Sequence, residues 1–206
     1  MMQSKIIGLT GSIATGKSQV SNFLRERGYK VIDSDLLARD ILEDEKVILR
    51  IKKAFGENIF KNNDLDRKAL GKIVFDDKNK RDILNSITHP PIYQKILREI
   101  ESSKEKIIFV DLPLLIENGP NSHGLKFDEI WLSYTRPEIQ LLRLMERDNI
   151  SKSYARTKIN SQMPIDDKKA YADFIIDNNS SLENLQRQVE ERLKILEESW
   201  NIFLYS

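Results

Sequence analysis

The residues with the clearest chemical purpose are Gly11-Ser12-Ile13-Ala14-Thr15-Gly16-Lys17-Ser18, which fit the spacing G-x-x-x-x-G-K-[ST]. Each fixed position has a physical reason. Gly11 and Gly16 let the backbone turn and come close to an anion without a side chain in the way. Successive N–H groups form a nest for phosphate oxygens, and the helix that follows offers its positive end. Lys17 can reach the outer phosphates, and the Ser18 hydroxyl is a magnesium ligand. The pattern therefore predicts a nucleoside-triphosphate cradle, with Gly11, Ala14, Thr15, Gly16, Lys17, Ser18 and the adjoining Gln19 as candidate contacts.

Carboxylates at strand ends are the next candidates. Asp111 closes the apolar run Ile107-Ile108-Phe109-Val110, where a magnesium-side carboxylate belongs. Asp33 and Asp35 follow a second apolar run, Tyr29–Ile32. An aspartate there can orient an acceptor hydroxyl and take its proton late. Equally, Asp33 or Ser34 can simply cap the next helix. Arg143, Arg147 and Arg156, with Lys152, Lys158 and Lys168, fall on or near one helical stretch before Pro164. Arginines on a lid could stabilise charge on a transferring phosphoryl group, although most helical basic residues are solvated.

One competing function is excluded by spacing. Asn79-Lys80-Arg81-Asp82 matches the guanine-reading N-K-x-D pattern, but it lies in a charged run ahead of a helix rather than after an apolar strand. No Asp-x-x-Gly accompanies it: position 53 is Lys before Gly56, and position 116 is Ile before Gly119.

The elements that must position these residues alternate. Strands are expected at Ile6–Thr10, Tyr29–Asp33, Lys106–Asp111, Phe127–Tyr134 and Ala172–Asp177. Helices are expected at Lys17–Arg27, Leu36–Phe55 as one continuous pattern, Leu65–Phe75, and Lys80–Ser102 with a break or kink at Pro90 and Pro91. Further helices fall at Pro137–Asp148, Ser151–Asn160, Ile165–Ala172 and Leu182–Trp200, and a turn at Asn62-Asn63-Asp64. Such alternation requires crossover connections, hence an α/β fold with a five-stranded parallel sheet between helical layers.

Bulk properties agree with an ordinary globular protein. Lys and Arg number 33 against 32 Asp and Glu, so no global basic field speaks for nucleic-acid binding. With no cysteine, disulfides and thiolate metal sites are excluded. No stretch approaches the roughly 20 apolar residues of a membrane helix, and the apolar start is too short for a signal peptide; a cytoplasmic protein without membrane association is expected.

Several ordered blocks together resemble the dephospho-CoA kinases. They are Gly8-Leu9-Thr10-Gly11, Val31-Ile32-Asp33-Ser34-Asp35, Leu65-Asp66-Arg67-Lys68-Ala69-Leu70 and Ile87-Thr88-His89-Pro90. Then come Asp111-Leu112-Pro113-Leu114-Leu115-Ile116-Glu117, Gln140-Leu141-Leu142-Arg143 with Arg147-Asp148, Gln162-Met163-Pro164, and Ala172–Asn178. The resemblance runs from Ile7 to about Leu185 and implies a P-loop NTPase-type three-layer fold. It implies ATP-dependent, magnesium-assisted phosphoryl transfer to the ribose 3′-hydroxyl of dephospho-CoA. Under it, Asp35 is the base-like residue and Asp33 its neighbour on the magnesium or acceptor side. Lys17 and Arg143 serve the ATP phosphates, with Arg147 beside Arg143 and the backbone near Asn178 flanking the adenine. Arg67, His89 and Glu117 line the acceptor pocket. The expected organisation is one domain, residues 1–206, with a core of 1–35, 105–145 and 172–206, an acceptor-side helical insertion at 36–104, and a lid at about 146–171. The loop departs from the family pattern at Ser12 and Ala14, where glycine is usual, and at Gln19, where threonine is usual.

Overall fold

The computed structural model describes residues 4–62, 64–119 and 122–200, which form two compact units. The first comprises the chain up to Ile32 and from Ser103 onward; the second spans Asp33–Ser102.

In chain order the elements are β1 (Lys5–Gly11), α1 (Lys17–Glu26), β2 (Lys30–Asp33), α2 (Ser34–Ile41), α3 (Glu45–Phe55), β3 (Phe60–Lys61), β4 (Asp64–Leu65), α4 (Arg67–Asp76) and α5 (Lys78–Glu101). They continue as β5 (Ile107–Asp111), β6 (Glu129–Tyr134), α6 (Pro137–Asp148), α7 (Lys152–Asn160), α8 (Ile165–Lys168), β7 (Phe174–Asp177) and α9 (Leu182–Ser199).

The first unit is built on the sheet, in the order β2-β5-β1-β6-β7. β1 pairs in parallel with both β5 and β6, and β6 with β7. The apolar run of β1 is buried from Ile6 to Gly11, as a central parallel strand covered on both faces must be. One face is filled by Val20, Phe23 and Leu24 of α1 with Leu185, Val189 and Leu193 of α9. Trp131 of β6 anchors that face, with its ring centroid 5.2 Å from Phe109 and 5.1 Å from Phe174, both edge-on. On the other face Ile165 of α8 packs with Leu132 and Tyr134.

The second unit is helical, with α2, α3 and α4 all packed on the long α5. Two expectations are corrected here. The apolar pattern Leu36–Phe55 is not one helix, because the chain turns after Ile41 and Asp44 starts α3 by accepting from the amides of Lys46 and Val47. The helical period survives such an interruption, so periodicity alone does not reveal it. Of the break or kink expected at Pro90 and Pro91, the break does not occur, since α5 runs through both for 24 residues. They remove two amide donors, and packing of Ile87, Ile92, Tyr93 and Ile96 holds the helix together across the gap. The short β3–β4 hairpin was not anticipated: the predicted helix around Leu65 begins only at Arg67, capped by Asp66. Of the expected turn, Asn62 follows β3, Asp64 opens β4, and Asn63 falls outside the described residues. The Ile165–Ala172 helix is a single α turn followed by a 3₁₀ turn, Lys169–Tyr171.

Candidate active site

The glycine loop connects β1 to α1 and takes the shape its sequence asks for. Ala14 (φ 60°) and Gly16 (φ 91°, ψ 15°) are both left-handed, separated by Thr15. Such alternation turns successive N–H groups toward one concavity. Gly16 is required twice over: its φ is unfavourable for other residues, and a Cβ there would lie 1.9 Å from Asn178 Nδ2. A Cβ on Gly11 would lie 2.6 Å from Thr15 Oγ1. α1 has no side-chain cap, and among the described residues the amides of Gly16, Lys17 and Ser18 have no acceptor. Four features fit an anion: open amides, a helix N-terminus, the Lys17 ammonium and the exposed Ser18 hydroxyl.

The loop is fixed from behind. Thr15 is buried, and its Oγ1 donates to the Ser12 carbonyl at 2.8 Å. The Thr15 carbonyl receives Ser133 Oγ (3.0 Å) and Asn178 Nδ2 (2.9 Å), while the Thr135 hydroxyl lies 3.2 Å from both that carbonyl and that of Asn178. The second Asn178 amide proton goes to Gln19 Oε1 at 3.1 Å. Arg143, on α6, donates to Thr135 Oγ1 at 3.2 Å and so joins the same network. Asn178, expected as a nucleotide contact through its backbone, thus braces the loop through its side chain. Ser133 and Thr135 escaped sequence reasoning, their only signal being small hydroxyl residues at the end of a buried strand.

Asp111 is buried, and its two oxygens accept from Lys17 Nζ and Ser21 Oγ. Ser21 was also missed, although it stands four residues after Lys17 on the same face of α1. A cluster of three or more His, Cys, Asp or Glu side chains able to hold a metal is absent among the described residues. Oxygens that could hold magnesium beside the loop include the Ser18 hydroxyl and, were Lys17 to leave it, the Asp111 carboxylate.

A second set of contacts joins the loop to the segment after α7. Ile13 donates its N–H to Gln162 Oε1 (2.8 Å), and its carbonyl accepts from Gln140 Nε2 (2.7 Å). The next residue, Met163, donates its N–H to Glu117 Oε1 at 3.3 Å. Lys168 Nζ lies 2.7 Å from that same oxygen, but off hydrogen-bonding alignment. Lys168 is fully buried, which corrects its reading as one more solvated helical cation. Glu117, expected in the acceptor pocket, here meets the Met163 N–H and the Lys168 ammonium.

The remaining expected residues sit as follows. Asp33 caps α2, its Oδ1 accepting from the amides of Asp35 (3.0 Å) and Leu36 (3.3 Å), so the capping alternative is realised. Asp35 is exposed in the first turn of that helix. Arg67 donates to the Arg39 carbonyl at 3.4 Å and lies 3.6 Å from Glu43. His89 is half-buried, edge-on to Tyr93. Arg147 pairs with Asp148 at 2.8 Å, and Lys158 reaches the other oxygen of that carboxylate at 2.8 Å. The Arg147 guanidinium first, then the Lys158 ammonium, hold the Asp148 carboxyl down at about 2.

Comparison with known proteins converges on one family. The family model described as dephospho-CoA kinase matches residues 5–184. A dephospho-CoA kinase of Listeria innocua is 46% identical over 190 residues, covering 90% of this chain and 94% of that protein. Among solved structures, a Thermus thermophilus protein superposes with a TM-score of 0.82 at 31% identity, over 94% of this chain and 98% of the other. A dephospho-CoA kinase from Campylobacter jejuni superposes with a TM-score of 0.69, also at 31% identity, over 94% and 98% of the two chains.

Proposed function

This chain belongs to the dephospho-CoA kinase family, and on that premise we propose how its residues divide the work of the reaction. The enzyme transfers the γ-phosphate of ATP to the ribose 3′-hydroxyl of dephospho-CoA, giving coenzyme A and ADP. The observation that carries the residue-level reading is the loop itself, whose open amides at Gly16, Lys17 and Ser18 stand beside a lysine at the start of a helix.

In this reading the loop from Gly11 to Ser18, with Gln19, binds the ATP phosphates. Lys17 exchanges its Asp111 partner for a phosphate oxygen, charge for charge, at little electrostatic cost. Ser18, with Asp111 on its protein side, would hold magnesium, which when bound would supply charge neutralisation for the transferring phosphates. Arg143 stabilises negative charge on the transferring group from a position already fixed by Thr135, and Arg147 supports it once released from Asp148. The backbone near Asn178 flanks the adenine. Asp35 orients the 3′-hydroxyl and takes its proton as the new P–O bond forms and the bond to the β-phosphate oxygen breaks. Asp33 supports it by fixing the start of α2. Arg67, His89 and Glu117 serve the acceptor.

Measuring ADP release with dephospho-CoA, with a nucleoside acceptor and with no acceptor tests the activity; stimulation by dephospho-CoA alone is expected. For Asp35→Asn, kcat should fall by at least about 100-fold, the scale of a lost general base, with ATP affinity within about threefold. Near-normal kcat in a folded Asp35→Asn protein, with a comparable loss in Asp33→Asn, would reverse the assignment.

A further inference from the structure

Ile13 is held by both of its peptide groups. Gln162 Oε1 takes the N–H of the 12–13 peptide at 2.8 Å, and Gln140 Nε2 donates to the carbonyl of the 13–14 peptide at 2.7 Å. These partners lie 149 and 127 residues away in sequence. Neither glutamine has a role in the reading above. The residue they flank is Ala14, which carries a Cβ at φ 60°, a conformation glycine adopts freely and alanine does not.

We propose that Gln140 and Gln162 are positioning residues of the phosphate loop, and that Gln162 makes the loop's shape depend on docking of the segment that follows α7. The proposal rests on the loop being the ATP site. Gln140 is buried on α6, one turn before Arg143, so one rigid helix sets both a loop peptide and the phosphate-facing arginine. Gln162 comes from a segment with its own attachments. Met163 N–H and the Lys168 ammonium both meet Glu117 Oε1, and Ile165 is buried against Leu132 and Tyr134. When this segment is docked, the Ile13 amide is occupied and Ala14 is kept left-handed. When it leaves, Ile13 loses that acceptor and Ala14 loses half its support. A glycine at position 14 needs no such support, so the clamp matters most where a side chain stands there, as in this loop.

The test is a double-mutant cycle between positions 162 and 14, read in kinetics and in ATP binding by calorimetry. Gln162→Ala should raise the KM for ATP about fivefold, the ratio one hydrogen bond of ordinary net strength commands, with the KM for dephospho-CoA within about twofold. In an Ala14→Gly background the same substitution should cost less than about twofold, because the loop then keeps its shape unaided. An equal cost in both backgrounds, or an equal rise in both KM values, overturns the clamp. Should Gln162→Ala not fold, Gln162→Asn serves, since it shortens the reach by one methylene while keeping the amide. Failure of wild-type protein to bind ATP more tightly than Lys17→Ala would instead overturn the reading of the loop as the ATP site.

Discussion

Removing the Glu117 carboxylate should destabilise this protein more than removing the lysine it faces. Lys168 has a fully buried side chain, whereas that of Glu117 is 19% exposed. Breaking a buried pair from one side costs about 3–5 kcal/mol, mostly through the charge left behind. Glu117→Ala strands an ammonium whose nearest acceptor, 2.7 Å away, is the atom deleted, and it also frees the Met163 amide. The full range therefore applies. Lys168→Met leaves a carboxylate that keeps the Met163 N–H and is partly exposed, although its Oε2 is buried without a partner among the described residues. The cost should therefore be lower, at about 2–3 kcal/mol. Combining Glu117→Leu with Lys168→Met removes both charges, and such replacements are often neutral or better. Urea unfolding at 25 °C followed by circular dichroism gives the three values, and thermal melts check them. At about 2–4 °C per kcal/mol for a chain of this size, Glu117→Ala should lower Tm by roughly 6–20 °C. The reasoning is refuted if Glu117→Ala lies within about 1 kcal/mol of wild type, or if the double variant loses as much as the two single variants summed.

Two further outcomes follow from individual groups. Because the folded Asp148 carboxyl titrates at about 2, below its ordinary 3.8, its contribution is present above pH 4 and is lost as pH falls toward 2. The Tm advantage of wild type over Asp148→Asn should accordingly shrink from pH 6 to pH 2, and an advantage that grows in acid would contradict the pairing with Arg147 and Lys158. Ser12 Oγ is buried with no partner among the described residues, so Ser12→Ala should stabilise the unliganded protein by about 1 kcal/mol, or roughly 2–4 °C. A loss of stability in that variant would mean the hydroxyl is satisfied in solution.

The cradle and the parallel character of the sheet around it were legible because both depend on local rules. A fixed glycine-and-lysine spacing makes an anion nest whatever surrounds it, and apolar runs alternating with helical patterns leave parallel crossover topology as the economical solution. Asp111 was legible for the same reason, as a charge at the end of a buried strand. The capping option for Asp33 could be stated from sequence, but choosing it required the amides of Asp35 and Leu36 to be in place. The break at Leu42–Asp44 and the continuity of α5 through Pro90 and Pro91 went the other way: the cap by Asp44 made the first and packing allowed the second, each against the simplest local pattern.

By itself, then, the sequence determined that this chain builds a phosphate-binding loop on a parallel α/β sheet, because those features need only near neighbours in the chain. Only the tertiary structure decided what holds that loop. Ser133, Thr135, Gln140, Gln162 and Asn178 reach it from 118 to 163 residues away, and their side chains are ordinary anywhere else. The same folding turned Lys168 from a surface cation into a buried partner of Glu117, since the environment of a side chain is set by what the chain packs around it.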